Sequence, residues 1–427
     1  MPNLRIFSFE VALIVALVSA LTIGAWWIYP IWDDGRLLFW SSQMGEGVIY
    51  HNYGDRPLLY YLYLFLFRRQ LFQPVGLIFH WVSWVAMGLV TIRFWRLMFP
   101  EYSQFALAPA LLAVAPVLGK CQLVTFTIVF PVMTGALLIF VSLFLILSEQ
   151  PSVFRRLLVS SLALILIAFA VLITNYAVTT AAVAFVVLTA KAFKSPPSQK
   201  RELLISAGLT ALAALCSYAA FCWLTQLTAT PEYRPSYALT SLPWKIRVVP
   251  FRWLSAIWQS TMGGVLESLG AVAVNTKPAL LSFAFGIVLA ALVWLVVSRK
   301  GHVQADTPSN HRYSFVTLLT ATALALLPVF LMGRTLEGRW DTRFIVPILP
   351  VLSSLTVFIL LSVVRKRLWI LVPILCGFLA GYWTTLEIAN AIRNPETIVV
   401  LPHKFQSHSA DFIRVDVGNK SKTGRLA

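Results

Sequence analysis

Charge is scarce in this sequence. Only 12% of its 427 residues are Asp, Glu, Lys or Arg, while 59% are hydrophobic. A water-soluble chain could not hide that much apolar surface, so the composition excludes an ordinary soluble enzyme; the mean hydropathy of +0.78 agrees. A bilayer accepts such a chain provided each crossing is a helix that satisfies its own backbone hydrogen bonds. Acidic residues are the scarcest charges, 17 against 34 basic ones. Cysteine is sparse too. Cys121, Cys216, Cys222 and Cys376 lie in or beside apolar runs without CxxC or ligand spacing, and so suggest neither a disulfide framework nor a cysteine metal site. Internal repeats and low-complexity stretches are also missing.

Long apolar runs, by contrast, recur. Spanning the hydrocarbon takes about 20 apolar residues. Runs of this kind fall near 8–28, 74–92, 104–119, 122–147, 157–174, 176–193, 203–224, 279–298, 313–332, 344–364 and 368–388. They predict an all-α polytopic membrane protein with about eleven transmembrane helices over residues 1–388. The third run is short and carries Pro109 and Pro116. Leu58–Phe67 is too short to span and is expected at the membrane surface. The first run has neither a strong basic region before it nor a small-residue cleavage site after it, so it reads as a retained signal-anchor.

The net charge of +17 does not mark a nucleic-acid binder, because its distribution is topological. One set of short loops carries Arg93/Arg96, Arg155/Arg156, Lys191/Lys194/Lys200/Arg201, Arg299/Lys300/Arg312 and Arg365/Lys366/Arg367, opposed only by Glu101, Glu149, Glu202 and Asp306. The positive-inside rule makes those loops and the N-terminus cytoplasmic, with the C-terminus outside.

Polar residues gather in three segments of the opposite set: 29–69, 225–277 and 333–344. The first places Asp33 and Asp34 directly after an apolar helix and an aromatic belt of Trp26, Trp27, Tyr29 and Trp32. Adjacent carboxylates at a membrane boundary are costly to desolvate. They suit a cap on a helical segment Gly35–Met44 or a general base where a lipid-borne substrate meets water; one carboxylate can do both. Asp55 and Arg56 lie in a Gly/Pro turn before the short apolar stretch, either as solvated charges or as substrate-binding groups. Segment 333–344 crowds Arg334, Glu337, Arg339, Asp341 and Arg343 ahead of Pro347 and Pro350. Arginine offers a planar fork suited to phosphate and stays charged when partly buried; headgroup binding or internal ion pairing are the plainer uses. Segment 225–277 interleaves Arg234, Lys245, Arg247 and Arg252 with Tyr233, Tyr237, Trp244, Phe251, Trp253 and Trp258, as an interfacial amphipathic helix would. The tail from Ala389 is polar, with a lone sequon at Asn419. His51, His80, Asn175 and Glu387 receive no role.

The acidic pair Asp33-Asp34, the stretch Gly47…Tyr50…Asn52…Gly54-Asp55-Arg56-Pro57, and Asp341-x-Arg343-Phe344-x-x-Pro347-x-x-Pro350 together resemble the GT-C superfamily of membrane glycosyltransferases. The first two look like the first outside loop of arabinofuranosyltransferase-like and protein-mannosyltransferase-like members. The last is similar to an Arg-aromatic-x-x-Pro signature of the same group. The usual Asp-Glu is Asp-Asp here, and where some members carry a sizeable soluble domain this sequence has the polar stretch 389–427. The resemblance implies a GT-C-like fold with surface helices in the first outside loop. It also implies transfer of a sugar from a polyprenyl-phosphate donor to a glycan, lipid or protein acceptor outside the membrane, in the manner of a bacterial inner-membrane enzyme. Asp33 or Asp34 would be the base. Arg339 and Arg343, then Arg56, Arg334 and Lys120, would bind the donor phosphate, and Asp55, Glu337 and Asp341 the substrate. No metal or other cofactor is expected. A transporter or flippase of lipid-linked sugars, and a glycan polymerase or ligase, are the competing readings; the ionisable residues cluster at the boundary rather than along the spans, as a transport pathway would require.

Overall fold

A computed structural model describes residues 2–28, 57–118, 126–148, 152–228, 253–274, 278–298, 311–331, 345–393, 398–402 and 412–416. Among the described residues of the membrane portion every regular element is helical, because an apolar run in lipid must bond its own backbone. In chain order the helices are α1 (Pro2–Ile28), α2 (Pro57–Arg68), α3 (Phe72–Met98), α4 (Leu107–Val114), α5 (Phe126–Ile146), α6 (Val153–Ile173), α7 (Ala177–Lys194) and α8 (Pro197–Thr228). They continue, after a π-helical turn Gln259–Gly263, with α9 (Gly264–Val274), α10 (Pro278–Ser298), α11 (His311–Leu331), α12 (Leu349–Val363) and α13 (Leu371–Arg393). Two strands of the tail, β1 (Ile398–Pro402) and β2 (Phe412–Asp416), pair antiparallel.

Among the described residues seven helices are long and apolar enough to cross a membrane: 74–98, 154–173, 177–194, 199–225, 280–298, 346–363 and 366–389. They coincide with seven of the expected runs. Three more runs lie on helices of 27, 21 and 21 residues, whose apolar parts, Phe9–Ala25, Phe130–Ile146 and Arg312–Leu327, are shorter. The run at 104–119 differs from expectation. Only the eight residues of α4 are α-helical there, about 12 Å of rise. Pro100–Phe105 forms a 3-10 turn before it, and Ala115-Pro116 bends the chain after it.

Side-chain contacts set the direction of the helices. At one end Arg96, late in α3, meets Glu10, early in α1, at 2.6 Å. Lys191 Nζ, late in α7, donates to Leu97 O at 3.0 Å. From the start of α11, Tyr313 and Ser314 donate to Ala190 O and Met98 O at 2.7 and 3.0 Å. Arg156 and Glu202, at the starts of α6 and α8, pair at 2.6 Å. Tyr102 sits edge-on to Trp369, and Arg93 lies over the Phe144 ring late in α5. The cations of the basic loops that these contacts locate therefore share one end, the basic end, while Arg68 and Arg69 belong to α2 and the turn after it, and Arg299 and Lys300 lie outside the described residues. Trp95 Nε1 donates to Tyr102 O at 2.7 Å and folds the 3-10 turn back against α3. Burial, and secondarily the Glu101 carboxylate, push the Tyr102 phenol above its ordinary value.

At the far end Thr22 Oγ1 and His80 Nδ1 are hydrogen-bonded at 3.0 Å, and Trp81 Nε1 donates to Ser19 Oγ at 2.9 Å. Helix α2 ends in a left-handed residue, Gln70 (φ 55°), with Leu71 N–H donating to Leu66 O and Gln70 N–H to Phe67 O. That pair of bonds is the Schellman arrangement that caps helix carbonyls. The buried face of α2 (Leu59, Tyr63, Leu64, Leu66) packs with Ile173 of α6, Phe79 of α3 and Phe130 of α5, so the short apolar stretch covers the far ends of three longer helices.

The tightest helix pair is α10 with α13. A Cβ on Gly381 would stand 2.9 Å from Phe285 O and 3.1 Å from Gly286 Cα, and one on Gly377 would stand 2.8 Å from Val293 Cγ2. Gly377-x-x-x-Gly381 opposite Gly286 lets the two backbones touch, as small residues do between helices in lipid. Helices α6 and α8 are the least enclosed, displaying Phe154, Leu158 and Ile165, and Ile205, Leu212 and Leu215, to their surroundings.

Candidate functional site

Asp33, Asp34, Asp55, Arg56, Lys120, Arg334, Glu337, Arg339, Asp341 and Arg343 all lie outside the described residues. Their flanking helices are described. α1 starts beside Arg96 and ends at Ile28 at the far end, and α2, which follows Asp55 and Arg56, packs on that same end. α11 starts beside Met98 at the basic end and so finishes at Leu331 at the far end, before Arg334 in the sequence. The chain re-enters the described part at Ile345, two residues after Arg343, with Ile345–Pro350 wholly buried. Both polar segments, far apart in sequence, thus begin and finish at one end of the bundle.

The re-entry at 345–350 has a local cause. Pro347 opens the 3-10 turn Val346–Ile348, and Pro350 has no N–H to return to the Pro347 carbonyl in a 3-10 pattern. The Thr180 hydroxyl, early in α7, supplies that hydrogen bond at 3.1 Å. The two prolines read from sequence as breaks therefore fix where the arginine-rich segment joins the bundle.

Broken helix geometry lies deeper in the interior. α4 leaves the basic end, and Val114 at its finish meets Gly88 in the middle of α3, where a Cβ would lie 3.2 Å from Val114 Cγ1. Val117 N–H then closes a tight turn on Ala115 O at 2.8 Å around Pro116. Lys120 follows, outside the described residues. The π-helical turn packs close by: a Cβ on Gly264 would stand 3.4 Å from Val117 O. Two departures from regular helix therefore adjoin inside the bundle, the kind of backbone irregularity tolerated where protein surrounds it.

Glu387 is the group whose setting sequence reasoning underweighted. It is buried in the far half of α13, one turn from Trp383 on the same face. A carboxylate inside a bundle is expensive and usually serves binding or a proton or ion path. The signal was a lone acid in an otherwise apolar run. Elsewhere in α13 Trp383 Nε1, Thr384 Oγ1 and Tyr382 Oη, and in α3 Trp84 Nε1, are buried without a hydrogen-bond partner among the described residues. His80 is buried and bonded to Thr22, the structural role expected of a lone histidine on a helix face. Helix 253–258 and its continuation bury Ala256, Ser260, Thr261 and Val265, and Trp253 Nε1 donates to Ala323 O at 3.0 Å; Leu254, Trp258 and Leu266 face outward. Among the described residues no three His, Cys, Asp or Glu side chains gather as metal ligands.

No protein family, curated protein or solved structure matches the chain.

Proposed function

We propose that the protein is a membrane glycosyltransferase of the GT-C kind, moving a sugar from a polyprenyl-phosphate donor to a glycan, lipid or protein acceptor. The observation that carries this reading is the common far-end origin of the segments bearing Asp33/Asp34 and Arg334–Arg343. In the reaction Asp33 or Asp34 takes the proton of an acceptor hydroxyl as its oxygen attacks the anomeric carbon. The bond from that carbon to the phosphate oxygen breaks, the lipid phosphate leaves, and a single displacement inverts the centre. Arg339 and Arg343, supported by Arg56, Arg334 and Lys120, stabilise the charge gathering on the phosphate. Asp55, Glu337 and Asp341 bind the substrate. Arginine provides the positive charge, so the reaction is expected to proceed without a metal. The chain crosses the membrane about eleven times, with the run 104–119 as one crossing. The basic end is cytoplasmic by the positive-inside rule, and the site faces outward, as in a bacterial inner membrane.

The test is purified protein in lipid given a panel of polyprenyl-phosphate sugars, with sugar transfer and release of lipid phosphate both measured. Release coupled to transfer from at least one donor is the expected result. Folded protein inert towards every donor and acceptor offered defeats the reading.

The broken helix α4 favours a second reading, a flippase or transporter of lipid-linked sugars, since interrupted helices are common at transport sites. The same vesicles separate the two: a flippase moves intact donor between leaflets without releasing lipid phosphate.

A further inference from the structure

The basic end holds a cavity that the proposed transferase site does not use. Its volume is about 180 Å³, between the end of α3, the last turn of α7 and the first turn of α11. Its polar lining comes from Lys191 and Lys194 of α7, Tyr313, Ser314 and Thr317 of α11, and Glu101 and Tyr102 of the 3-10 turn. The lysines are three residues apart on one helix and so share a face. Lys191 gives one N–H to Leu97 O at 3.0 Å, of the three that an ammonium carries. Lys194 lies over the Tyr313 ring, 4.3 Å from its centroid. Tyr313 is itself held by its bond to Ala190 O, and Ser314 by its bond to Met98 O.

Like charges one turn apart on a helix repel, and two ammonium groups face one carboxylate in this lining. A group placed between the lysines with more than one anionic oxygen would relieve that repulsion and use the remaining N–H donors. Three chain segments fix the position of the lysines, which distinguishes the hollow from a solvated charge run. Its place, at the ends of membrane helices on the basic side, is where pockets between helices take up anionic headgroups.

We infer that this cavity binds a phosphate group, carried by an anionic phospholipid of the adjoining leaflet, through Lys191 and Lys194. The inference is independent of the transferase reading, which concerns the other end of the bundle.

The experiment uses the full chain in phosphatidylcholine nanodiscs doped with phosphatidic acid, with retained lipid read by native mass spectrometry. A parallel arm adds inorganic phosphate to the buffer. Wild type is expected to retain phosphatidic acid over phosphatidylcholine. Lys194→Gln, at an exposed position that disturbs no helix cap, should weaken retention about tenfold, the size of one hydrogen bond to a charged group. Arg201→Gln removes the same charge at the same end but outside the cavity, and should leave retention unchanged. Displacement of the lipid by inorganic phosphate would support the phosphate chemistry and identify a soluble phosphate as a competing source; resistance to it supports the lipid headgroup. Equal losses in Lys194→Gln and Arg201→Gln, or no preference in wild type, overturn the inference.

Discussion

Arg96 places a guanidinium nitrogen 2.6 Å from the carboxylate of Glu10, and no part of the Glu10 side chain reaches the surface. The pair fastens the first helix to the second long one at the basic end. Removing one partner of a buried pair leaves a charge without its counterpart, which typically costs about 3–5 kcal/mol. Arg96 is partly exposed, so the lower figure applies. Arg96→Ala should lower stability by about 3 kcal/mol. Glu10→Gln with Arg96→Gln together should cost less than the two changes summed. Thermal unfolding in detergent measures this, and strict additivity would show that the two side chains are not coupled.

The close approach of α10 and α13 makes a contrasting pair of glycines. Gly381→Leu must push the main chain of Phe285 and Gly286 away, and should destabilise by about 1–3 kcal/mol. Gly208 in α8 has nothing within 4 Å of an added Cβ. There Gly208→Ala should stabilise by about 0.5–1 kcal/mol, through helix preference alone. Melting temperatures moving in the same direction for both variants would refute the packing described.

Gln70 holds a left-handed backbone that most side chains resist. Gln70→Gly should relieve that strain against a larger entropy loss on folding, a net gain of about half a kcal/mol. An unchanged or lower melting temperature would argue against a strained cap.

If the transferase reading holds, Asp33→Asn or Asp34→Asn, whichever removes the base, should slow transfer by about 10² to 10⁴-fold with the fold intact. Arg343→Lys keeps the charge but loses the planar fork, so donor affinity should fall. Donor affinity equal to wild type in that variant takes Arg343 out of phosphate binding.

Sidedness can be read without any substrate. With the native cysteines replaced, Ser195→Cys and Arg367→Cys should react with an impermeant maleimide from one face of sealed vesicles, and Ser41→Cys and Thr335→Cys from the other. Labelling of Ser41→Cys and Ser195→Cys from the same face would contradict the proposed orientation.

Hydropathy marked most of the helices, because lipid demands an unbroken apolar run wherever a regular helix crosses. At 104–119 it could not show that the regular helix is only the eight residues of α4, because Pro109 and Pro116 sit among residues as apolar as any span; apolarity reports burial, and α4 is buried in protein. Hydropathy was equally blind to which helices face lipid. The windows at 199–225 and 346–363 are 22% and 78% buried, yet both read as spans, since lipid tails and leucine side chains are alike as surroundings. The basic loops were legible as a group because charge near helix ends is governed by membrane orientation. The partner of Glu10 was not, because the pairing joins residues distant in sequence. The candidate site was legible only as residue types; the structure describes the helices that frame Asp33, Asp34 and Arg334–Arg343, not those residues.

Helices whose main chains touch cannot slide past one another by a turn without first coming apart. The glycine contact between α10 and α13 therefore makes those two a fixed wall. Any rearrangement of the far end would carry α10 and α13 together, their register unchanged.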